Sequence, residues 1–309
     1  MSTGLAAGLF VVSLAATLYA AAVFADRLDH LGARLGLPEG LLGLLTAAAA
    51  DAPELATAIV ALATGARSVG FGVVVGSNVF NLGAMLGLSA LLCGTVRIQR
   101  DALALEGGVA LVITIAMVLL AFRVLPAWAA LAIALVVLVP YAVVAFRREL
   151  GEPRPHTHHV HKGGTLLLIP PAVAVIVLGS VGMVHAGLKL GHAAGMPDVL
   201  IGTLVLAVVT SIPNAYTGVR LGLARRGPAL VSETLNSNTI NLVGGLAIPA
   251  LFVTVSGGGL ARTDGVWLLA ATALALVLLA PRGGMRRAAG ALLVLSWVAF
   301  AVVQGAVGG

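Results

Sequence analysis

A chain of 309 residues with 60% hydrophobic and only 10% charged side chains, and a mean hydropathy of +1.07, lies outside the range of soluble globular domains and reads as a polytopic membrane protein. The net charge of +6 does not point to nucleic acid, because the basic residues are spread through short loops rather than gathered on one domain. The single Cys93 excludes an intrachain disulfide and reads as a small buried hydrophobe.

Runs of about 20 apolar residues, enough to cross a bilayer, predict ten transmembrane helices. In chain order they fall at 4–24, 39–64, 68–93, 103–122, 125–146, 165–186, 198–222, 229–254, 264–280 and 288–304. The first run has no basic segment before it and reads as a retained helix rather than a cleaved leader. If the ten spans alternate, the odd-numbered loops share one face and carry fourteen of the eighteen Lys and Arg; Arg67, Arg123, Lys189 and Arg262 are the remainder. The positive-inside rule then puts those loops in the cytoplasm and both termini outside, in the plasma (inner) membrane.

The one long polar interruption, "FRRELGEPRPHTHHVHKGG", divides the chain into residues 1–146, a linker at 147–164, and residues 165–309. Across it, "ADAPE" at 50–54 corresponds to "TSIPN" at 210–214, and "GSNVFN" at 76–81 to "NSNTIN" at 236–241. Five spans in each half make the second copy enter the membrane from the opposite side, so the halves form an inverted repeat. Such repeats, with helices broken by proline at matching places, mark secondary transporters whose ions bind near the midplane. Pro53 and Pro213 each remove one helical hydrogen bond and free carbonyls near Ala49–Ala50 and Val209–Thr210.

"AAAADAPELATAIVALAT" places Asp51 and Glu54 at i and i+3 in an otherwise apolar stretch, on one helical face. No Lys or Arg in spans 2, 3 or 8 offers either acid a partner, and acids within a membrane mark functional sites. The bland alternative is a helix end whose acids sit in a water-filled vestibule. Asn78, Asn81, Asn238 and Asn241 read equally well as interhelical hydrogen-bond glue, and Glu106 as an ordinary acid at a helix N-terminus. His156 to His161 lack the acids or Cys that close a zinc site and read as a loop, while His185 and His192 read as surface residues beside the loop after span 6.

These motif pairs resemble the cation/calcium antiporter superfamily, which includes the sodium/calcium exchangers and carries G-T-S-x-P-E and G-S-N-x-x-N/D elements in two alpha-repeats, here about 38–93 and 197–254. The resemblance implies an all-α fold of two inverted five-helix repeats and a central site from spans 2, 3, 7 and 8, with spans 1 and 6 sliding across it. Carried over residue by residue, it makes Glu54, Ser77, Asn81, Thr210, Ser211 and Ser237 ligands, with the carbonyls of Ala47, Ala50 and Ala207. Three positions depart from the pattern: Asn214 replaces the second post-proline acid, Asn241 the acid sometimes found in the second motif, and Asp51 a hydroxyl. The motif carboxylates thus fall in one repeat, and Asp51 with Glu54 still supplies two charges for Ca2+ alongside amide and hydroxyl oxygens.

The resulting expectation is a secondary active antiporter, not an enzyme, that exchanges Ca2+ for Na+ or H+. It requires no cofactor, and its partners are inorganic cations and the bilayer. A proton shared by the two repelling carboxylates makes H+ a credible counter-ion. Two other readings stay open: a monovalent cation/H+ antiporter, and a non-transporting cation-binding paralogue. The sequence does not set the oligomeric state; a monomer is compatible with it.

Overall fold

A computed structural model describes residues 1–35, 48–149, 166–255 and 258–308. The chain is helical nearly throughout: α1 (Thr3–Arg34), α2 (Ala52–Ala63), α3 (Arg67–Phe80), α4 (Leu86–Cys93), α5 (Arg100–Ala121), α6 (Ala127–Glu149), α7 (Ile169–Ala193), α8 (Asp198–Leu200), α9 (Ala207–Thr210), α10 (Ile212–Leu223), α11 (Gly227–Leu242), α12 (Gly258–Leu279) and α13 (Arg287–Gly308). Among the described residues seven helices are long and apolar enough to cross a membrane, or eight if Asp198–Thr210 and Ile212–Leu223, bent by 49°, form one span. The expected span 39–64 is seen as a helical stretch at 48–50 followed by α2, its earlier part lying outside the described residues. The expected span 229–254 is α11 continued by a π-helical turn, Val243–Ala247. Its Glu233, Asn236, Asn238 and Asn241 make it the most polar of the ten stretches.

The helices that carry the two motif pairs break at equivalent places. Asp51 is a turn residue before α2 and Ser211 a turn residue before α10, and both ends of α10 fall 160 residues after those of α2. Pro53 and Pro213 lie in the first turns of these helices, where a missing N–H leaves no bond unmade within the helix. Each second motif also runs into a π-helical turn, Asn81–Met85 in the first half and Val243–Ala247 in the second. A wide turn of this kind shifts the helical register and is common at functional sites.

Burial separates centre from periphery. The span Arg67–Cys93 has 94% of its apolar window enclosed, whereas Thr3–Leu28 has 22% and Leu166–Ala193 has 33%. The central span crosses its neighbour at glycines: a Cβ on Gly76 would stand 2.3 Å from the Thr203 carbonyl oxygen, and one on Gly202 2.3 Å from that of Val69. With lipid as apolar as any side chain, this close backbone approach and the dispersion it allows hold the spans together. At the periphery α1 lies along α7, with Gly179 against Thr17 and Gly182 against Ser13. One buried polar bond ties this pair to the centre, Thr57 Oγ1 to Ser180 Oγ at 3.2 Å.

Loops 94–99, 224–226 and 280–286 meet on one face, as alternating spans require. Two-residue strands β1 (Thr95–Val96) and β2 (Met285–Arg286) pair antiparallel there, a small exception to an all-α architecture. Gly284 has φ +77 and a Cβ on it would come 2.5 Å from the Val96 carbonyl oxygen, so both backbone and space require glycine. A Cβ on Gly227 would come 2.6 Å from that of Arg97, which joins the third loop to the pair. This face therefore collects Arg97, Arg225, Arg226 and Arg286. The expectation that Cys93 is buried is not met: it lies at the end of α4, where the span leaves the core, and is partly exposed.

Candidate cation site

Asp51 stands at the N-cap of α2, where an aspartate ordinarily turns its carboxylate back to the first amides of its own helix. Here it makes no cap hydrogen bond. Its Oδ1 instead accepts Ser237 Oγ at 2.6 Å and Asn214 Nδ2 at 2.7 Å, both from the other half of the chain. Glu54, one turn on, accepts Asn214 Nδ2 at Oε1 (3.1 Å) and Asn241 Nδ2 at Oε2. Ser77 and Ser211 flank the same carboxylate. Asn214 Nδ2 also lies 3.3 Å from Ser237 Oγ, and Asn81 Nδ2 donates to Ser237 Oγ at 3.1 Å.

All of these side chains are buried: Asp51, Ser77, Asn81, Ser211 and Asn214 show no exposure, and Glu54, Ser237 and Asn241 about 1%. None of the ion pairs among the described residues involves Asp51 or Glu54. Two carboxylates thus sit in the centre of the protein with neutral amide and hydroxyl groups around them, an arrangement whose desolvation no cationic side chain offsets. The N-terminus of α2 supplies a partial positive charge to both. Hydrogen bonding stops short of completion: Asp51 Oδ2 and the Oδ1 atoms of Asn81, Asn214 and Asn241 are buried without a partner. Buried acceptors of this kind are rare and call for an explanation. Four unpartnered oxygens, one of them on a carboxylate, together with the Glu54 carboxylate match the donor set of a hard cation.

The other expected positions divide. Thr210 Oγ1 donates back to the carbonyls of Leu206 (2.8 Å) and Ala207 (3.2 Å), and the Ala207 carbonyl also accepts the Ser211 amide at 3.0 Å. Thr210 and the Ala207 carbonyl therefore serve their own helix here. Ser77 Oγ likewise donates to the Val74 carbonyl at 3.1 Å. Ala50 closes the helical stretch before the break at Asp51. Ala47 and the His156–His161 loop lie outside the described residues. Asn238 Nδ2 bridges to the Asn78 carbonyl at 3.2 Å, the interhelical tie anticipated for these asparagines.

Glu106 is not the first-turn acid expected; that place is held by Asp101. Its carboxylate accepts Ser232 Oγ from α11 at 2.8 and 2.7 Å. The neighbouring Glu233, which sequence reasoning passed over, lies close enough to Asp51 and Glu54 to feel both charges. An acid inside an expected span was signal enough, but it falls between the motifs. Asp264 and Gln304 form a second buried polar pair, between α12 and α13, also unanticipated. His192 pairs with Asp198 at 2.6 Å on the surface, and His185 bonds to the Val181 carbonyl.

The chain aligns over 91% of its length, and 93% of the relative's, with the sodium/calcium exchanger MaX1 of Methanosarcina acetivorans at 25% identity. A 60-residue stretch is 35% identical to sodium/potassium/calcium exchanger 4 of Mus musculus, covering 19% of this chain and 10% of that protein. In fold it is similar to the sodium-calcium exchanger NCX_Mj, with a TM-score of 0.67 over 97% of this chain and 98% of that one at 20% identity. It is also similar to native YfkE, with a TM-score of 0.73 over 97% and 91% at 19% identity. The family model described as sodium/calcium exchanger protein matches residues 5–148 and 165–306, and the chain belongs to that family of membrane cation transporters.

Proposed function

We propose that this protein is a secondary active antiporter that moves Ca2+ against Na+ or H+ by alternating access at a midplane site. The observation that carries this reading is the buried Asp51–Glu54 pair, ringed by neutral donors and unpartnered oxygens, with no ion pair to a cationic side chain among the described residues. Asp51 and Glu54 supply the charge that offsets Ca2+ dehydration. The side-chain carbonyls of Asn81, Asn214 and Asn241 and the hydroxyls of Ser77, Ser211 and Ser237 add neutral oxygens. The Ala50 carbonyl, at the helix break before Pro53, adds to this set; the Ala47 carbonyl completes it by the family resemblance, as do Thr210 and the Ala207 carbonyl once they leave the bonds they make within their own helix. Asn214 Nδ2, which bridges the two carboxylates, turns away as a cation takes the space between them, while Ser237 Oγ keeps donating to Asp51.

In this reading ten spans form two inverted repeats, residues 1–146 and 165–309, in the plasma membrane, with the arginine-bearing loops cytoplasmic and both termini outside. The weakly enclosed α1 and α7, packed on each other through small residues, slide across the central spans to expose the site to one side and then the other. The test is 45Ca2+ uptake into proteoliposomes under Na+ and H+ gradients imposed separately. Uptake driven by one of the two names the counter-ion, and no gradient-driven uptake overturns the proposal. A monovalent cation/H+ antiporter gains support from Asn214 standing where a second post-proline acid would raise divalent affinity; it is distinguished by 22Na+ uptake under an H+ gradient without Ca2+ movement.

A further inference from the structure

Glu233 lies outside both motifs and takes no part in the hydrogen bonds that hold Asp51 and Glu54. It occupies the second turn of α11, where its Oε2 is enclosed by protein and accepts no hydrogen bond. No ion pair among the described residues reaches it. A buried carboxylate oxygen without donor or counter-charge is costly in a membrane interior, and such groups persist where they handle ions.

Its position on the helix is informative. Residues 233, 237 and 241 recur every four along α11, one turn apart on one face, so each step advances about 6 Å along the axis. Asn241 donates to Glu54 and Ser237 to Asp51. Glu233 continues this ladder one turn further, toward the face where the loops bearing Arg97, Arg225, Arg226 and Arg286 meet. Among the described residues no three acids or other metal-binding side chains converge on one point. Glu233 therefore does not join Asp51 and Glu54 around a single ion.

Repeat symmetry does not require an acid here. The position 160 residues earlier is Val73, wholly buried in the apolar core. The second half, which lacks an acid at Asn214, thus carries one a helix later. Charge balance then indicates what it binds. If the central pair offsets one Ca2+, a Glu233 carboxylate that has given up its proton to ligate a cation leaves one negative charge over, which a single monovalent cation cancels and a second dication would overshoot.

Resting on the central Ca2+ site proposed above, we propose that Glu233 is the carboxylate of a second cation subsite, one helical turn beyond Ser237 on the arginine-bearing side, that holds one monovalent cation of the Na+ class.

Equilibrium binding of 22Na+ and 45Ca2+ to the purified full-length protein in detergent tests this. At saturating Ca2+ the wild type should retain one 22Na+ per chain, and Glu233→Gln should retain none while binding 45Ca2+ at unchanged stoichiometry. Equal 22Na+ binding in the two proteins, or none in the wild type at saturating Ca2+, overturns the subsite. Should Glu233→Gln fail to fold, Glu233→Asp keeps the charge with a shorter reach, and its 22Na+ affinity must fall at least severalfold with Ca2+ affinity unaltered; an unshifted 22Na+ affinity overturns the proposal equally. Glu54→Gln, measured alongside, separates the two ideas. Retained 45Ca2+ binding in that variant sinks the central site, whereas lost 45Ca2+ binding with 22Na+ unaffected by Glu233→Gln sinks the subsite alone.

Discussion

Asn214 stands 160 residues after Glu54 and touches it; Ser211 and Ser237 stand at the same offset from Asp51 and Ser77. The backbone of the two halves repeats closely around these positions, with a turn, a proline in the first helical turn and a later π-helical turn in each. Their chemistry does not repeat. The first half brings the two carboxylates, and the second brings the donors that hold them, Asn214, Ser237 and Asn241. A duplicated fold fixes where side chains converge, and the residues placed there are free to divide charge from hydrogen bonding between the copies.

The strongest way to break this division is to remove charge from the first half. Glu54→Gln keeps shape and hydrogen-bonding capacity but leaves Asp51 as the one carboxylate of the centre. Losing a charged partner from a buried site costs about 3–5 kcal/mol, on the order of a hundredfold or more in affinity. Ca2+ uptake in proteoliposomes should fall to background at normal expression and melting temperature. Wild-type uptake would place the site elsewhere.

Moving charge from one half to the other is the next test. Asp51→Ser gives the first half the hydroxyl that Ser211 supplies in the second, and should weaken Ca2+ binding by at least tenfold. Adding Asn214→Asp returns a carboxylate to the same point, since Asn214 Nδ2 lies 2.7 Å from Asp51 Oδ1, and should restore part of the loss. In the wild-type background Asn214→Asp should be harmful, because two carboxylates then meet at contact distance. A double variant no better than Asp51→Ser would show that the halves do not exchange charge, the coupling being read as a double-mutant cycle.

These positions also show what the sequence made legible. Pro53 and Pro213, with Ser77 and Ser237 at the same offset, were enough to locate the breaks and the converging helices, because backbone chemistry is local. Which donor serves which acceptor was not, as that depends on rotamers chosen across the interface: Thr210 bonds to its own helix, while Ser237 reaches Asp51. Glu233 and the Asp264–Gln304 pair escaped because they follow no repeat. Glu106 was misread because its partner, Ser232, lies 126 residues away.

Acid provides a gentler perturbation of the same comparison. A carboxylate must give up its proton to ligate a cation, so Ca2+ affinity should rise with pH and fall as protons compete for Asp51 and Glu54. With Asp51→Asn one competing carboxylate is gone, and the slope of log affinity against pH should become shallower. Titration calorimetry in buffers of different ionisation enthalpy measures the protons released on binding. Release of none, with affinity constant across the acidic to neutral range, would remove H+ from the list of counter-ions.

The smallest effect distinguishes Ser77 from Ser237, which occupy equivalent places in "GSN" and "NSN". Ser237 Oγ donates to Asp51 and accepts from Asn81 Nδ2, so Ser237→Ala leaves a buried carboxylate one donor short and a buried amide without its acceptor. The loss of a hydrogen bond to a charged group is worth about 1.5–3 kcal/mol, or on the order of tenfold to a hundredfold in Ca2+ affinity. Ser77 Oγ donates instead to Val74 in its own helix, a bond whose removal leaves a carbonyl that already accepts in the helical ladder. Ser77→Ala should therefore weaken binding less, by about 0.5–1.5 kcal/mol. Both variants should keep the fold, since alanine fits either space. Equal effects from the two would mean that the serines act as equivalent ligands in matching repeats. A larger effect at Ser77 would reverse the assignment and make the first half the source of both charge and positioning.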